Sequence, residues 1–580
     1  MVQQCARVLT FVPMATAGRT TRVRSFAGVL PILLILGGCG DRQLTAILPA
    51  PGDHTDPPPD GALDPASCTP TASGPLPALG WNGWNEFRCR PELDQQKFES
   101  NVDALVARGM KDAGYEFANL DDCWQAPRGA DGALSANARF PDGIGALGSY
   151  VHDRGLKLGI DAHNLDCKWP EMVTPGSGTH EAQDAASFAS WGVDYVKYTR
   201  CGGDLVEYQT EVSGLRDAIA KNGRPMRLSI VTTPFSYWQL GAADQWRTHG
   251  DIEPGWAALL DIIDTEAPLA AYAGQVGFND ADMLWVGNAA LTEAESRAHF
   301  SMWAILASPL LAGNDLSAMS DATAAILSNR EVIALDQDPL ALQGLLLDQQ
   351  GDVGVYGKPL SGCGARGLVL LNRGSQVAEA TVSWQELGLA AGAAGVRDLW
   401  AARDLDPAHD TLTLMVPPHD VRALRITGSE PPLPHGTPYL SDLPWTYAAN
   451  GWGPVERDQE LGGKAAGDGQ PLSLGGTHYD KGLGTNSPAL VRYLLGKHCS
   501  RFSAEIGIDD LAGDIGSVVF QVWADAEKIF DSGTMLRATA PRHIDLNVSG
   551  RSEIRLFVGQ IDDIGQDHGD WADARLTCDP

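Results

Sequence analysis

Positive charge is scarce in this chain: 43 Lys and Arg stand against 73 Asp and Glu among 580 residues, a net charge of −30. Nothing in it forms the basic stripe that phosphate binding needs, which excludes a nucleic-acid partner and leaves a neutral ligand such as a glycan as the better fit. A membrane-spanning segment is missing too, because the apolar run Val29 to Leu36 is too short to cross a bilayer as a helix. No ligand spacing among the acidic loops is distinctive enough to assign calcium, so the sequence calls for no metal and no cofactor.

The short apolar run follows Arg19, Arg22 and Arg24 and leads into Leu36-Gly37-Gly38-Cys39. Basic residues, an apolar core and small residues make an export signal. Leu-Gly-Gly-Cys resembles the bacterial lipoprotein cleavage box, which makes Cys39 the expected lipidation site and a membrane-anchored protein outside the cytoplasm the expected product. A plain secretory signal with an incidental cysteine is the alternative. Arg22 lies far from Met1 for a short basic region, which points to a start codon further downstream. Outside the cytoplasm cysteines tend to pair. Apart from Cys5 and Cys39, eight remain: Cys68, Cys89, Cys123, Cys167, Cys201, Cys363, Cys499 and Cys578. Their number does not fix their connectivity.

The length calls for two to four domains. Residues 40–74 are rich in Pro, Asp, Gly and Ala and read as a tether after the signal of residues 1–39. From Pro77, short apolar runs (Leu79 to Trp81, Tyr115 to Leu120, Leu156 to Ile160, Tyr195 to Tyr198, Arg227 to Val231) alternate with helical segments. In the first of these segments Phe98, Val102, Leu105, Val106 and Met110 share one face. This alternation predicts a (β/α)₈ barrel over residues 75–332. Short alternating runs predict a small antiparallel β domain over 333–428. A Pro-rich linker at 429–438 and a second strand-rich region at 439–580 complete the chain.

Residues just after barrel strands project into the active-site mouth. Here they are Trp84, Asp121 and Asp122, Asp161 and His163, Lys197 and Thr199, Thr232, Arg247 and Asp251, and Asp280 and Asp282. Each carboxylate taken alone could equally cap the helix that follows it.

Six stretches carry a resemblance to a known family. They are Gly80-Trp81-Asn82-Gly83-Trp84-Asn85, Leu120-Asp121-Asp122-Cys123-Trp124, Gly155 to Ile160, Trp191-Gly192-Val193-Asp194-Tyr195, Trp246-Arg247 with Gly250-Asp251-Ile252, and Asn279-Asp280 with Asp282-Met283-Leu284. In this order they resemble glycoside hydrolase family 27, the α-galactosidases and α-N-acetylgalactosaminidases. The resemblance implies an exo-acting hydrolase of α-linked galactose. Asp121 and Asp122 would accept from the sugar's 4- and 6-hydroxyls, Trp84 would stack on its apolar face, and Lys197 and Arg247 would contact its ring hydroxyls. Asp251 would be the general acid/base and Asp282 a further pocket residue. The resemblance also implies the disulfides Cys89–Cys123 and Cys167–Cys201; Cys499 with Cys578 would close the last domain, and Cys68 and Cys363 have no counterpart pair in the family.

The chain departs from the family where the fourth strand should end Lys-Tyr-Asp-x-Cys, the Asp being the nucleophile. It reads Lys197-Tyr198-Thr199-Arg200-Cys201. A threonine hydroxyl is un-ionised at neutral pH, and no base stands beside it in sequence. The third strand, which in the family ends Ile-Tyr, here reads Ile160-Asp161. One carboxylate is lost and another arises next door, which predicts an inverting enzyme with Asp251 as acid and Asp161, or less favourably His163, as base. The alternatives are a silent glycan-binding pseudoenzyme and an Asp161 held structurally by Arg200 or Lys197. The fifth strand departs as well: Thr232 stands where α-galactosidases carry a Glu near the sugar's 2-substituent, so an α-N-acetylgalactosaminide or a modified galactoside stays open. The bulk of Phe235 argues against the N-acetyl group.

The last region resembles the NPCBM type of carbohydrate-binding module through Gly482 to Ser487, Gly516 to Trp523 and Asp567-His568 with Asp570 to Ala574. The resemblance implies a jelly-roll sandwich that holds the barrel on an α-galactoside-containing glycan. Trp523, in an apolar strand, is expected in the core.

Overall fold

The computed structural model describes residues 75–170, 172–274, 276–560 and 565–579. The expected signal, Cys39, the tether of residues 40–74 and Cys68 lie outside the described residues. Among those described, no helix is long and apolar enough to cross a membrane.

Eight parallel strands form the first sheet: β1 (Leu79–Asn82), β2 (Phe117–Leu120), β3 (Lys157–His163), β4 (Val193–Thr199), β5 (Arg227–Val231), β6 (Gln245–Arg247), β7 (Phe278–Asp280) and β8 (Leu310–Ala312). They run in the order β8-β1-β2-β3-β4-β5-β6-β7. A parallel bridge between Leu284 and Ala312 joins the segment after β7 to β8 and closes the ring. Sequential strands are adjacent and linked by α-helical crossovers, as the alternating pattern predicts, except between β5 and β6, where only the 3-10 turn Tyr237–Gln239 intervenes. Close approach is enforced at Gly159, where a Cβ would lie 1.9 Å from Asn119 Oδ1 on the neighbouring strand.

Local chemistry sets the helix ends. Gln95–Ala107 starts where the Asp94 carboxylate accepts from the Lys97 N–H at 2.9 Å, and it buries Phe98, Val102 and Leu105 against the sheet. Met110, assigned to the same helical face from its spacing, is buried but lies beyond the helix. Gly109 takes a φ of +75° and ends the regular turn first. The final barrel helix, Arg330–Asp336, is capped by the Asn329 side chain and runs past the boundary expected at 332/333.

The second domain is an eight-stranded antiparallel sheet spanning residues 345–427. Its strand Ala365–Asn372 is buried on both faces. Leu368 and Leu370 enter the domain's own core, while Val369 and Leu371 join the core of the barrel, a direct result of the two-residue strand period.

The terminal domain packs two five-stranded antiparallel sheets around Phe502, Phe520, Leu556 and Trp571. Trp523 is not in that core. On Ser517–Ala524 the residues Val518, Phe520 and Val522 point inward, so alternation turns Trp523 outward, where it packs against a cluster joining the terminal domain to the barrel. That cluster contains Ala270, Leu340 and Leu342 from the barrel side and Tyr447, Leu490 and Phe557 from the terminal domain. Tyr447 donates to Gln343 O at 2.9 Å and Arg555 to Leu340 O at 3.2 Å across the same junction. The disulfides Cys89–Cys123, Cys167–Cys201 and Cys499–Cys578 are formed.

Candidate active site

Side chains two apart on a strand share a face, so Asp161 and His163 on β3 both enter the barrel mouth, as do Lys197 and Thr199 on β4. The strands pair in register, Asp161 beside Lys197 and His163 beside Thr199. The result is a compact polar cluster. Thr199 Oγ1 donates to Asp161 Oδ2 at 3.0 Å, and Lys197 Nζ lies 3.3 Å from the same oxygen and 2.7 Å from Asp121 Oδ2. His163 Nε2 stands 2.8 Å from Asp161 Oδ1 and 2.9 Å from Asp122 Oδ2. The arginine alternative for Asp161 is not realised: Arg200 turns away and donates to Gly203 O at 2.5 Å.

Burial and charge oppose each other here. Desolvation works to lower the His163 pKa, but Asp161 and Asp122 outweigh it and raise it to about 10. Lys197 likewise loses solvation, yet Asp121 and Asp161 hold its ammonium well above the usual lysine range. Asp161 is 1% exposed.

A second group faces the first. Arg247, at the end of β6, bridges Asp251 Oδ1 at 3.0 Å and Asp282 Oδ1 at 2.8 Å. Asp282 also accepts from the Ile252 N–H at 2.7 Å, tying the loop that carries Asp251 to the segment after β7. The backbone of Asp282 is left-handed, with φ at +77°, a conformation Asp tolerates better than most residues. Desolvation pushes the Asp251 pKa up, but Arg247 and then Lys197 outweigh it and hold the carboxyl below its usual range. Its side chain is 65% exposed, the open end of an otherwise buried cluster. Asp280 stabilises the turn instead, its Oδ1 accepting from the Asp282 N–H at 2.9 Å.

Trp84 forms an aromatic wall, with Lys197 Nζ 5.9 Å from its ring and Trp169 edge-on at 4.9 Å. Thr232 is buried at the end of β5. Phe235 packs on Tyr272 and Tyr237, with centroids 4.9 and 5.8 Å away. Two residues go beyond the positions named from sequence. Asn82 Nδ2 donates to Asp121 Oδ2 at 2.6 Å and was legible inside the Gly80 to Asn85 stretch. Trp169, on the loop closed by Cys167–Cys201, carries no periodic or spacing signal.

The profile of the family described as "Alpha galactosidase A" matches residues 76–338, that of the "Alpha galactosidase C-terminal beta sandwich domain" residues 350–426, and that of the "NPCBM/NEW2 domain" residues 436–577. The α-galactosidase A of Cellvibrio japonicus is 40% identical over 380 residues, covering 60% of this chain and 92% of that protein. The α-galactosidase of Cyamopsis tetragonoloba is 42% identical over 335 residues, covering 56% and 80%. Among solved structures, α-galactosidase I from Mortierella vinacea superposes with a TM-score of 0.57 at 29% identity, covering 61% of this chain and 98% of that one. With a relative this similar matched over nearly its whole length, and with the barrel and its two β domains in place, the chain belongs to glycoside hydrolase family 27, the α-galactosidase family.

Proposed function

We propose that the protein hydrolyses terminal α-linked galactose with inversion at the anomeric carbon. The observation that carries this reading is the Asp161 carboxylate, 3.0 Å from the Thr199 hydroxyl where the family's nucleophile is absent. Asp161 Oδ2 takes a proton from a water as that water's oxygen bonds to the anomeric carbon. The bond to the departing oxygen breaks, and that oxygen receives the proton of Asp251. Asp121, Asp122, Trp84, Lys197 and Arg247 hold the sugar, and Thr232 lines its 2-position. The relatives' printed activities support the substrate class. Thr232 in place of the family's Glu keeps the 2-position open, so α-N-acetylgalactosaminides belong in the substrate panel. NMR of the first product from an aryl α-galactoside tests the course: β-galactose is expected, and initial release of the α-anomer overturns it.

One observation favours a rival. Asp161 is 1% exposed, with both oxygens beside other side chains, as suits a structural carboxylate in a glycan-binding protein without turnover. Absence of turnover on both α-galactosides and α-N-acetylgalactosaminides, together with retained galactose binding, decides for that rival. The N-terminal pattern around Cys39 supports export and lipid anchoring outside the cytoplasm; labelling with a radioactive fatty acid, abolished in Cys39→Ser, is the expected result.

A further inference from the structure

The contacts of His163 have the length of hydrogen bonds but not their alignment. Its Nε2 lies 2.8 Å from Asp161 Oδ1 and 2.9 Å from Asp122 Oδ2, yet neither oxygen is in line with the ring N–H. Nε2, Asp161 Oδ1 and Asp122 Oδ2 are all buried without a hydrogen-bond partner. The three residues are 0%, 1% and 5% exposed. Buried polar atoms in a protein interior are almost always satisfied, so three orphans converging on one place need an occupant.

Ligands about 2.1 Å from a common ion and at right angles to one another stand about 3.0 Å apart. In such a set each oxygen lies about 45° off the axis from the imidazole nitrogen to the ion, which defeats a hydrogen bond while keeping the atoms close. The two separations from Nε2 and the missing alignment fit this arrangement, and all three atoms lie within 4.8 Å of one another. Charge fits too: Lys197 stands 2.7 Å from Asp121 and 3.3 Å from Asp161, Asp122 and Asp161 both lie beside His163, and an ion that displaces the imidazole proton puts positive charge where these carboxylates already gather it. We propose that Asp122, Asp161 and His163 form one face of a binding site for a divalent first-row transition-metal ion. One nitrogen and two carboxylate oxygens suit such an ion better than Mg²⁺ or Ca²⁺, which prefer oxygen alone. The ion would use Asp161 Oδ1, leaving Oδ2 for the water-holding task proposed above.

Mn²⁺ is the probe, titrated into the chelator-stripped full chain and followed by the EPR signal of the free ion, in excess Mg²⁺ to fill all-oxygen sites. One Mn²⁺ per chain is expected to bind in wild type and in Asp251→Asn, and to be weakened by about tenfold or more in Asp161→Asn and His163→Ala. ESEEM of the bound ion in wild type should show coupling to an imidazole nitrogen, a readout that needs no variant to fold. No bound Mn²⁺ in wild type, no nitrogen coupling, or equal binding in folded Asp161→Asn and His163→Ala overturns the proposal. None of these readouts uses turnover. An α-anomer product therefore leaves the metal site standing, and an empty site leaves the hydrolysis reading standing.

Discussion

The Thr199 hydroxyl donates a 3.0 Å hydrogen bond to Asp161 Oδ2, linking the ends of two adjacent barrel strands. The residue that lost the carboxylate thus holds the residue that gained one. Asp161→Asn is expected to lower kcat by about 10²–10⁴-fold with little change in KM, since the group acts on the attacking water. Thr199→Val, which removes only the hydrogen bond, should cost about tenfold. Steady-state kinetics on an aryl α-galactoside checks both.

The two positions should also exchange roles only as a pair. Thr199→Asp alone sets two carboxylates side by side next to Lys197 and is expected to reduce activity, because like charges so close cannot both ionise freely. Asp161→Tyr with Thr199→Asp recreates the family's combination of strand ends. Product NMR of the double variant should then show the α-anomer first.

Asp251 is exposed at one end and bound to Arg247 at the other. Arg247 holds its pKa below the usual carboxylate range, so its acid form is lost as pH rises. The expected profile of kcat/KM falls from acidic pH upward. Asp251→Asn should slow alkyl galactosides, whose departing oxygen needs a proton, by about 10²–10⁴-fold. It should slow an aryl galactoside with an acidic phenol far less.

Glu266, fully buried beneath β6 and hydrogen-bonded by Thr248, has its pKa pushed up to about 8, first by desolvation and then by Asp280. Its folded pKa exceeds the unfolded value of about 4.3, so the native state retains a proton that the unfolded chain gives up. Stability therefore declines as pH rises from about 4.3 towards 8. Glu266→Gln keeps the shape without the titration. Thermal unfolding across that window should show a flatter slope for the variant and a higher Tm at the alkaline end.

The barrel was legible because its strands are short apolar runs at regular spacing, and its mouth because strand ends must point there. Asp121, Asp122, Asp161, Lys197, Thr199, Arg247, Asp251 and Asp282 were named on that rule and do gather in two facing clusters. What sequence could not supply was orientation. The choice between Arg200 and Lys197 as partner of Asp161 depends on which way a long flexible side chain swings, and Arg200 is drawn off by Gly203 O. Trp523 was misplaced because an apolar strand between a domain core and a second domain has two buried sides, and composition alone does not distinguish them. Trp169 reaches the aromatic wall through a disulfide-closed loop, whose path no periodicity encodes.

The terminal domain is joined to the barrel by packed side chains as well as by its linker: Phe557 and Leu490 meet Leu340 and Leu342, and Tyr272 reaches Gln560 at 3.2 Å. Such a joint acts as a ruler. A module on a slack tether grips ligands over a broad range of spacings, whereas a clamped one favours a glycan whose two contact points match one fixed span and disfavours chains that are shorter or differently curved.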